Sequence, residues 1–196
     1  MYLFFDTETT GVPKDYKAPV TDSNNWPRLV SLAWILANER GGIEEHQESI
    51  IIPVGFTIPD QAAQIHGITT ERAKKEGIPI TTALGRFIYL LQTEPIEAIV
   101  AHNISFDERI IRAEFHRLGW IDHLEKKERI CTMLKSVQHC KLEKKPGTTG
   151  GYKWPKLQEL HKKLFNQEFE GAHGAAADVL ATTRCFFELK RLDVIK

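Results

Sequence analysis

The sequence predicts an α/β fold in which a mixed β-sheet is flanked by helices. Strand-like apolar runs occur within residues 2–53, helical patterns fill residues 59–92, and a strand that leads directly into a helix comes next. Strands that give way to alternating strands and helices are typical of a mixed sheet covered by helices. The chain has 196 residues, of which 42% are hydrophobic, so we expect a single domain over residues 1–196.

Three strands are predicted in the first part of the chain. Residues 2–6 are an apolar run typical of a buried strand, and residues 27–38 and 43–53 are two further runs joined by a turn at residues 39–42. We therefore expect these strands to form a meander.

Helical patterns follow the meander. They cover residues 59–67, 70–77 and 81–92, and Gly67 and Gly77 are placed as C-terminal stops. The middle of the chain is therefore expected to be helical.

A strand-to-helix step is predicted in the second half. Residues 97–103 contain a short apolar strand, and residues 105–119 have a helical pattern that ends at Gly119. Ser105 and Glu108 have the spacing of a capping box, which predicts the start of this helix.

Two more helices are predicted near the end, over residues 153–165 and 175–192, where apolar residues recur at helical spacing. Residues 12–27 and 141–153 are rich in turn formers instead, so we expect two loops. Neither loop is long enough to separate domains.

Composition excludes several classes of protein. No stretch approaches the roughly 20 apolar residues that span a bilayer, and residues 1–5 lack the basic flank of a signal peptide. Cys131, Cys140 and Cys185 are odd in number and lack C-x-x-C spacing, which argues against a disulfide framework or a thiolate metal site. We expect free thiols, a cytoplasmic location and no membrane partner.

Charge is balanced overall but unevenly distributed. The chain has 26 basic and 26 acidic residues, whereas residues 126–163 contain 11 Lys or Arg against 3 Asp or Glu, which leaves 15 against 23 elsewhere. This asymmetry is compatible with an acidic catalytic centre beside a basic arm for a polyanion. A solvated helical face explains the basic segment equally well.

Acidic residues occur at three places where local structure favours apolar or neutral ones. Asp6 and Glu8 lie two residues apart on the first strand, so their carboxylates point to the same side. Asp107 lies in the first turn of a helix after a strand, near the sheet edge where α/β ligand sites form. Asp178 follows Ala175–Ala177, whose small side chains would let the helix approach the first strand.

His173 is the candidate general base. On one continuous helix, His173 and Asp178 would point about 140° apart. Gly171 and Gly174 flank the histidine and favour a loop instead, from which both side chains can face one centre.

Four converging carboxylates would repel one another and shift toward protonation unless a cation neutralised them. Oxygen ligands favour Mg²⁺ or Mn²⁺ over zinc, and this many carboxylates could hold two ions about 4 Å apart, as in phosphoryl chemistry. The pattern therefore indicates phosphodiester cleavage.

The motifs resemble those of the DEDDh branch of 3′ to 5′ exonucleases, the group that contains the proofreading epsilon subunit of bacterial replicative DNA polymerase. The first motif, D-x-E-T-T-G, spans Asp6–Gly11; the second, A-H-N-x-x-F-D, spans Ala101–Asp107; the third, H-x-A-x-x-D, spans His173–Asp178. Residues 65–69 also resemble the family's segment beside the terminal nucleotide. The resemblance implies a ribonuclease-H-like fold with a five-stranded mixed sheet flanked by helices.

The resemblance also implies roles for the motif residues. Asp6 would bridge both metal ions, Glu8 and Asp178 would hold the first ion, and Asp107 would support the second, partly through water. His173 would take the proton from the water that attacks the terminal phosphorus. The products would be nucleoside monophosphates.

Six further residues are candidate substrate contacts: Thr9, His66, Asn103, Phe106, Lys144 and Lys145. The first four lie in the family segments, where a structural role for His66, or a turn and core role for Asn103 and Phe106, is the alternative. The lysines belong to the loop of residues 141–153, which we expect to grip the substrate strand. Trp26 and Tyr152 could stack on bases or pack against the domain.

The predicted activity is hydrolysis at the 3′ end of single-stranded DNA, in proofreading or repair. RNA 3′ trimming within the same family is the close alternative, and an inactive nucleic-acid-binding module is an alternative from another class. The loop of residues 13–27 is longer than the family's minimal form. The chain also stops soon after the last helix, without the polymerase-binding extension of the epsilon subunit, so stable polymerase attachment is not expected.

Overall fold

A computed structural model describes residues 1–196, and its centre is one five-stranded mixed sheet. The strands are β1 (Tyr2–Thr9), β2 (Leu29–Ala37), β3 (Ile43–Ile50), β4 (Ala98–Ala101) and β5 (Glu128–Cys131). Their order across the sheet is β3-β2-β1-β4-β5. The first three strands pair antiparallel as the predicted meander, while β4 runs parallel to β1 and β5 parallel to β4.

Eight helices surround the sheet. They are α1 (Asp60–His66), α2 (Thr70–Glu76), α3 (Ile80–Thr93), α4 (Ile104–Leu118), α5 (Thr132–Lys135), α6 (Val137–Cys140), α7 (Leu157–Phe165) and α8 (Ala175–Arg191). None of them combines the length and the apolar character that a membrane crossing would require.

Side chains along β1 point alternately to the two faces of the sheet, and each face has its own hydrophobic core. Leu3 and Phe5 point to the face covered by α3 and α4. Tyr2 and Phe4 point to the opposite face, which is covered by α8. The rings of Phe4 and Phe186 on α8 lie 5.2 Å apart, edge to face. Because β1 is buried on both sides, its position relative to α4 and α8 is firmly fixed.

The predicted elements are present, but some boundaries differ. The first strand extends beyond residues 2–6 to Thr9, so both acids of the first motif lie inside a strand. Residue patterns do not predict β5, because this four-residue outer strand contains charged residues and no alternation. The short helices α5 and α6 are also missed, because one helical turn is too short to show periodicity.

The predicted capping box of α4 is wrong. The helix begins at Ile104, and the residue before it, Asn103, has φ 69° and makes no side-chain cap hydrogen bond. Ser105 therefore lies inside the first turn, where its hydroxyl donates to Asn103 Oδ1 at 3.3 Å. The predicted stop is confirmed, since Gly119 ends the helix with φ 66°.

The loop of residues 12–27 is ordered by its own polar contacts. The Asn25 amide accepts from the Asp15 N–H at 2.7 Å and donates to the Asp15 carbonyl at 2.9 Å. Trp26 is only 3% exposed, and its indole N–H donates to the Pro19 carbonyl at 3.0 Å. Of the two alternatives for Trp26, packing is therefore the one that the structure supports. The three cysteines are buried and unpaired, as predicted.

A buried carboxylate fastens this loop and β2 to α4. Glu114, 1% exposed, accepts hydrogen bonds from Arg28 Nε at 2.9 Å and from the Leu29 N–H at 3.0 Å. Arg117 Nη1 also pairs with Glu114 at 2.9 Å, and Arg117 Nη2 donates to the carbonyl groups of Ser23 and Trp26 in the loop. One carboxylate thus satisfies three donors, two from the start of β2 and one from α4 itself.

Glu114→Ala should lower the free energy of unfolding by about 1 to 3 kcal/mol, because it leaves the buried Leu29 N–H and two partly exposed guanidinium groups without their acceptor. Chemical denaturation followed by circular dichroism measures this loss. Glu76→Ala is the matched control, since the Arg72–Glu76 pair is exposed and should contribute about 0.5 kcal/mol or less. Equal losses in the two variants would contradict the proposed anchoring role of Glu114.

Candidate active site

Three carboxylates meet at the end of β1. Asp6 and Glu8 point to the same face of the strand, and Asp178 reaches them from the first turn of α8. One oxygen from each of these residues lies within 4.8 Å of the others. Ala175, at the start of α8, is buried in the core beneath the sheet and allows the close approach expected from the small residues.

Asp107 approaches from α4, on the other side of β1. It is 3% exposed, and its Oδ1 accepts hydrogen bonds from the Thr7 N–H at 3.0 Å and from the Thr7 hydroxyl at 2.7 Å. Thr7 points to the face opposite Asp6 and Glu8, as alternation requires. Asp107 is outside the group of three close carboxylates, but its charge raises the pKa of Asp6.

His173 lies in the loop between α7 and α8, beside Asp178. Its backbone has φ 68° and Gly171 has φ 75°, so the loop turns sharply before the helix begins. The N–H group and the charge of His173 both act to lower the pKa of Asp178, which places the two residues side by side. The imidazole is exposed, so a substrate can reach it.

Burial is the largest cause of a raised pKa in each of the four acids. Neighbouring carboxylates raise the pKa values of Asp6, Glu8 and Asp107 further, whereas His173 limits the rise at Asp178. The pKa of Asp6 lies well above its ordinary value, that of Glu8 is about 8, that of Asp107 is about 7, and that of Asp178 is about 6. The hydrogen bonds from Thr7 limit the shift at Asp107.

The donor set fits a divalent cation. Asp178 Oδ1 is buried without a hydrogen-bond partner, so a ligand oxygen is left free inside the cluster. The donors are all carboxylate oxygens, which suit Mg²⁺ or Mn²⁺. Positive charge at this position would stabilise the ionised carboxylates and so oppose the effects of both burial and repulsion on their pKa values.

Thr9, the last residue of β1, lies close to His66. The Thr9 hydroxyl donates to the Gly11 carbonyl at 2.6 Å and shapes the turn. His66 is 8% exposed, and its Nδ1 accepts from the Ile68 N–H at 3.1 Å. Burial lowers the pKa of His66, while the nearby Thr9 backbone opposes this shift. His66 Nε2 has no partner, so the ring has both a structural contact and a free nitrogen.

The other predicted substrate contacts have different surroundings. Asn103 precedes α4 in a left-handed conformation, and Phe106 is half-buried against the core. Lys144 Nζ donates to the carbonyl groups of Gly150 and Thr149 in its own loop, whereas Lys145 is exposed.

Two positioning contacts were not predicted from the sequence. Thr7 could have been predicted because side chains alternate along a strand, so the residue between Asp6 and Glu8 points to the opposite face, which α4 covers. His102 Nε2 lies 2.9 Å from the Pro155 carbonyl, which can only accept, so this nitrogen carries the proton. Nδ1 then accepts from the Thr132 hydroxyl at 3.0 Å. Burial lowers the pKa of His102 to about 4, so it is a neutral structural residue.

Comparison with known proteins identifies the family. The model of the RNase_T family, described as exonuclease, matches residues 3–186. The chain belongs to this exonuclease family. The match includes all the acidic residues of the site and His173, and family membership makes the chain a nuclease.

Solved structures of exonuclease I share the fold of this exonuclease domain. One has a TM-score of 0.75 at 22% identity and covers 97% of this chain and 40% of that chain. The zinc-bound complex of E. coli exonuclease I with single-stranded DNA gives 0.74 at 23% identity, with the same coverage. The complex of E. coli exonuclease I with a dA16 oligonucleotide gives 0.74 at 22% identity, again with 97% and 40% coverage.

This likeness shows the ribonuclease-H-like exonuclease fold that the motifs imply. The chain spans about 40% of the length of these structures. A search of curated proteins gives no match.

Without metal, the protein should become less stable as the pH rises from about 4.5 to 8. The folded state holds the Glu8 proton up to a pKa of about 8, above its ordinary value of 4.5, so the folded state binds more protons than the unfolded chain in this window. The stability that this proton contributes is fully present below pH 4.5, the ordinary pKa, and is lost as the pH rises to about 8, the pKa in the folded protein. Thermal unfolding in EDTA across this range measures the effect.

Glu8→Gln should flatten this pH dependence, and Mg²⁺ should raise the melting temperature of the wild-type protein most at the alkaline end. The matched control is Glu45→Gln, which removes an exposed carboxylate from β3. A melting temperature that rises with pH in EDTA, or a Glu8→Gln slope equal to that of wild type, would contradict the description of the acidic cluster.

Proposed function

We propose that this chain is a divalent-metal-dependent 3′–5′ exonuclease that removes nucleotides from single-stranded DNA, with residues 1–196 acting as one exonuclease domain. The observation that carries the proposal is the convergence of Asp6, Glu8 and Asp178 within 4.8 Å, with His173 beside Asp178. Asp107, held by Thr7, completes the set of carboxylates. Family membership supplies the class of reaction.

The four acids would hold one or two Mg²⁺ or Mn²⁺ ions. Bound cations would offset the charge of the scissile phosphate and make the attacking water easier to ionise. Asp6 and Glu8 lie on the central strand and Asp178 lies in the first turn of a helix, so these groups are positioned before substrate arrives. The two hydrogen bonds from Thr7 fix one oxygen of Asp107 and leave its other oxygen for the site.

His173 is the proposed general base. Its exposed imidazole would accept a proton from the attacking water while the water oxygen bonds to the terminal phosphorus. The bond from phosphorus to the 3′ oxygen of the preceding nucleotide then breaks, and that oxygen takes up a proton. The products are a nucleoside 5′-monophosphate and a strand shorter by one nucleotide.

DNA is the proposed substrate because the similar structures include E. coli exonuclease I bound to single-stranded DNA. Thr9 and Phe106 are next to Glu8 and Asp107 in the chain, and His66 and Asn103 belong to the family segments; these four are the proposed contacts of the terminal nucleotide. A role in proofreading or repair, like that of the epsilon subunit, and a cytoplasmic location rest on sequence resemblance and cysteine usage. RNA trimming is the alternative tested below.

Digestion of matched 5′-labelled DNA and RNA oligonucleotides should show a ladder that shortens from the 3′ end in Mg²⁺ or Mn²⁺ and stops in EDTA. Asp6→Asn, Glu8→Gln, Asp107→Asn and Asp178→Asn should each nearly abolish the ladder while the protein stays folded. A ladder on RNA alone would favour the trimming enzyme. Tight binding without cleavage in any metal would indicate an inactive binding module and overturn the proposal.

His173→Ala should lower kcat by about 10² to 10⁴, the usual contribution of a positioned general base, with a much smaller change in KM. Single-turnover kinetics at saturating oligonucleotide measure this loss. His116→Ala, which removes an exposed histidine from α4, is the control and should be active. If His173→Ala retains the wild-type rate, another group activates the water.

A further inference from the structure

The loop before α7 forms a basic groove with an exposed indole. The groove has a volume of about 520 Å³ and is lined by Lys144, Lys145, Thr148, Tyr152, Lys153 and Trp154. Trp154 is 62% exposed, whereas Trp26 and Trp34 are 3% and 2% exposed. A tryptophan left in solvent gives up much of the free energy that burial would provide, so its exposure needs a reason.

The backbone around Trp154 is held in place on both sides. The Lys153 N–H donates to the Leu142 carbonyl at 2.9 Å and closes the base of the loop. Pro155 is buried, and its carbonyl accepts the hydrogen bond from His102. Lys144 bonds to carbonyl groups of the loop, as described above. The indole is therefore presented by an ordered backbone, which reduces the entropy lost when a ligand binds.

The same contacts place Trp154 at the catalytic edge of the sheet. His102 directly follows β4 and precedes Asn103, the residue before α4, whose first turn carries Asp107. The bond from His102 to Pro155 therefore fastens the groove to the segment that positions Asp107.

Charge selects the kind of ligand that fits this groove. Residues 126–163 carry 11 basic and 3 acidic residues, while the rest of the chain carries 15 and 23. Lys153 pairs with Glu159 and Lys144 bonds to its own loop, so Lys145 is the lysine of the groove with no internal partner. Exposed aromatic rings beside basic groups are the usual means of holding unpaired nucleic acid.

We propose that Trp154 stacks on an unpaired base of the substrate strand upstream of the scissile nucleotide, while Lys145 contacts an adjacent phosphate. This inference rests on the proposed function and specifies its substrate as a single-stranded tail. Stacking uses the flat face that every base has, so it should show little base preference. A duplex would keep this base paired and inaccessible to the indole.

Equilibrium binding of fluorescent single-stranded DNA to the Asp6→Asn protein tests the proposal without cleavage. Trp154→Ala should raise Kd by about 5- to 150-fold, the range found for one stacked base. Trp154→Phe should recover most of the affinity. Tyr89→Ala is the matched control, because Tyr89 is 64% exposed on α3, and it should leave Kd unchanged.

Abasic substitution identifies the stacked base. One abasic position along the oligonucleotide should weaken binding to the Trp154 protein and have no further effect on Trp154→Ala. Lys145→Ala should reduce the slope of log K against log salt by about 0.7, the value for one single-strand phosphate, and Trp154→Ala should leave the slope unchanged.

An unchanged Kd for Trp154→Ala, or equal abasic effects in both proteins, would overturn this inference and leave the groove as a surface for another kind of partner, such as a protein. Cleavage assays separate this failure from failure of the proposed function. In the wild-type background, Trp154→Ala should raise KM and leave kcat unchanged on saturating DNA. If wild-type protein does not cleave, the proposed function fails even where the binding results hold.

Discussion

Repulsion among buried carboxylates is the constraint on which the rest of the structure depends. Asp6 and Glu8 project from a strand whose other side chains form the centre of the protein, and Asp178 is brought to them by a helix. The pKa of Glu8, about 8, shows how strongly this environment disfavours negative charge. Aromatic packing between Phe4 on β1 and Phe186 on α8 opposes the repulsion, because burial of these rings fixes the strand and helix against each other.

The position of β1 in the middle of the sheet explains how four acids reach one place. Its side chains alternate between two covered faces, so one strand can direct Asp6 and Glu8 toward α8 and Thr7 toward α4. Asp107 on α4 is oriented through Thr7, and Asp178 approaches on the other side. The edge strand β3 could not do this here, since most of its side chains are exposed, whereas those of β1 are covered on both faces.

Local sequence therefore predicted the parts of the site that depend on local geometry. Asp6 and Glu8 lie on one face of β1 as their spacing predicts, Ala175 is buried where α8 approaches the sheet, and Gly171 has the positive φ of the loop that precedes α8. The cap of α4 was predicted wrongly, because residue patterns do not show that Asn103 adopts a left-handed conformation before the helix, and β5 was missed because four residues show no alternation. Residue patterns also could not predict which tryptophans are exposed, since exposure depends on how distant segments of the chain pack together.

The carboxylates of the site and the groups proposed to meet the substrate strand are supported in different ways. The acids, which repel one another, lie on strands and helices that resist movement, whereas His173 and the lysines lie on loops. Those loops are ordered by two imidazoles: the partly buried His102 donates to the Pro155 carbonyl, and the fully buried His161 contacts the Gln167 carbonyl through Nδ1 at 2.9 Å. Each contact ties a loop carbonyl group to an imidazole on a neighbouring segment. Rigid carboxylates and individually anchored loops allow the site to hold charge in place while the groups that meet the strand keep local freedom.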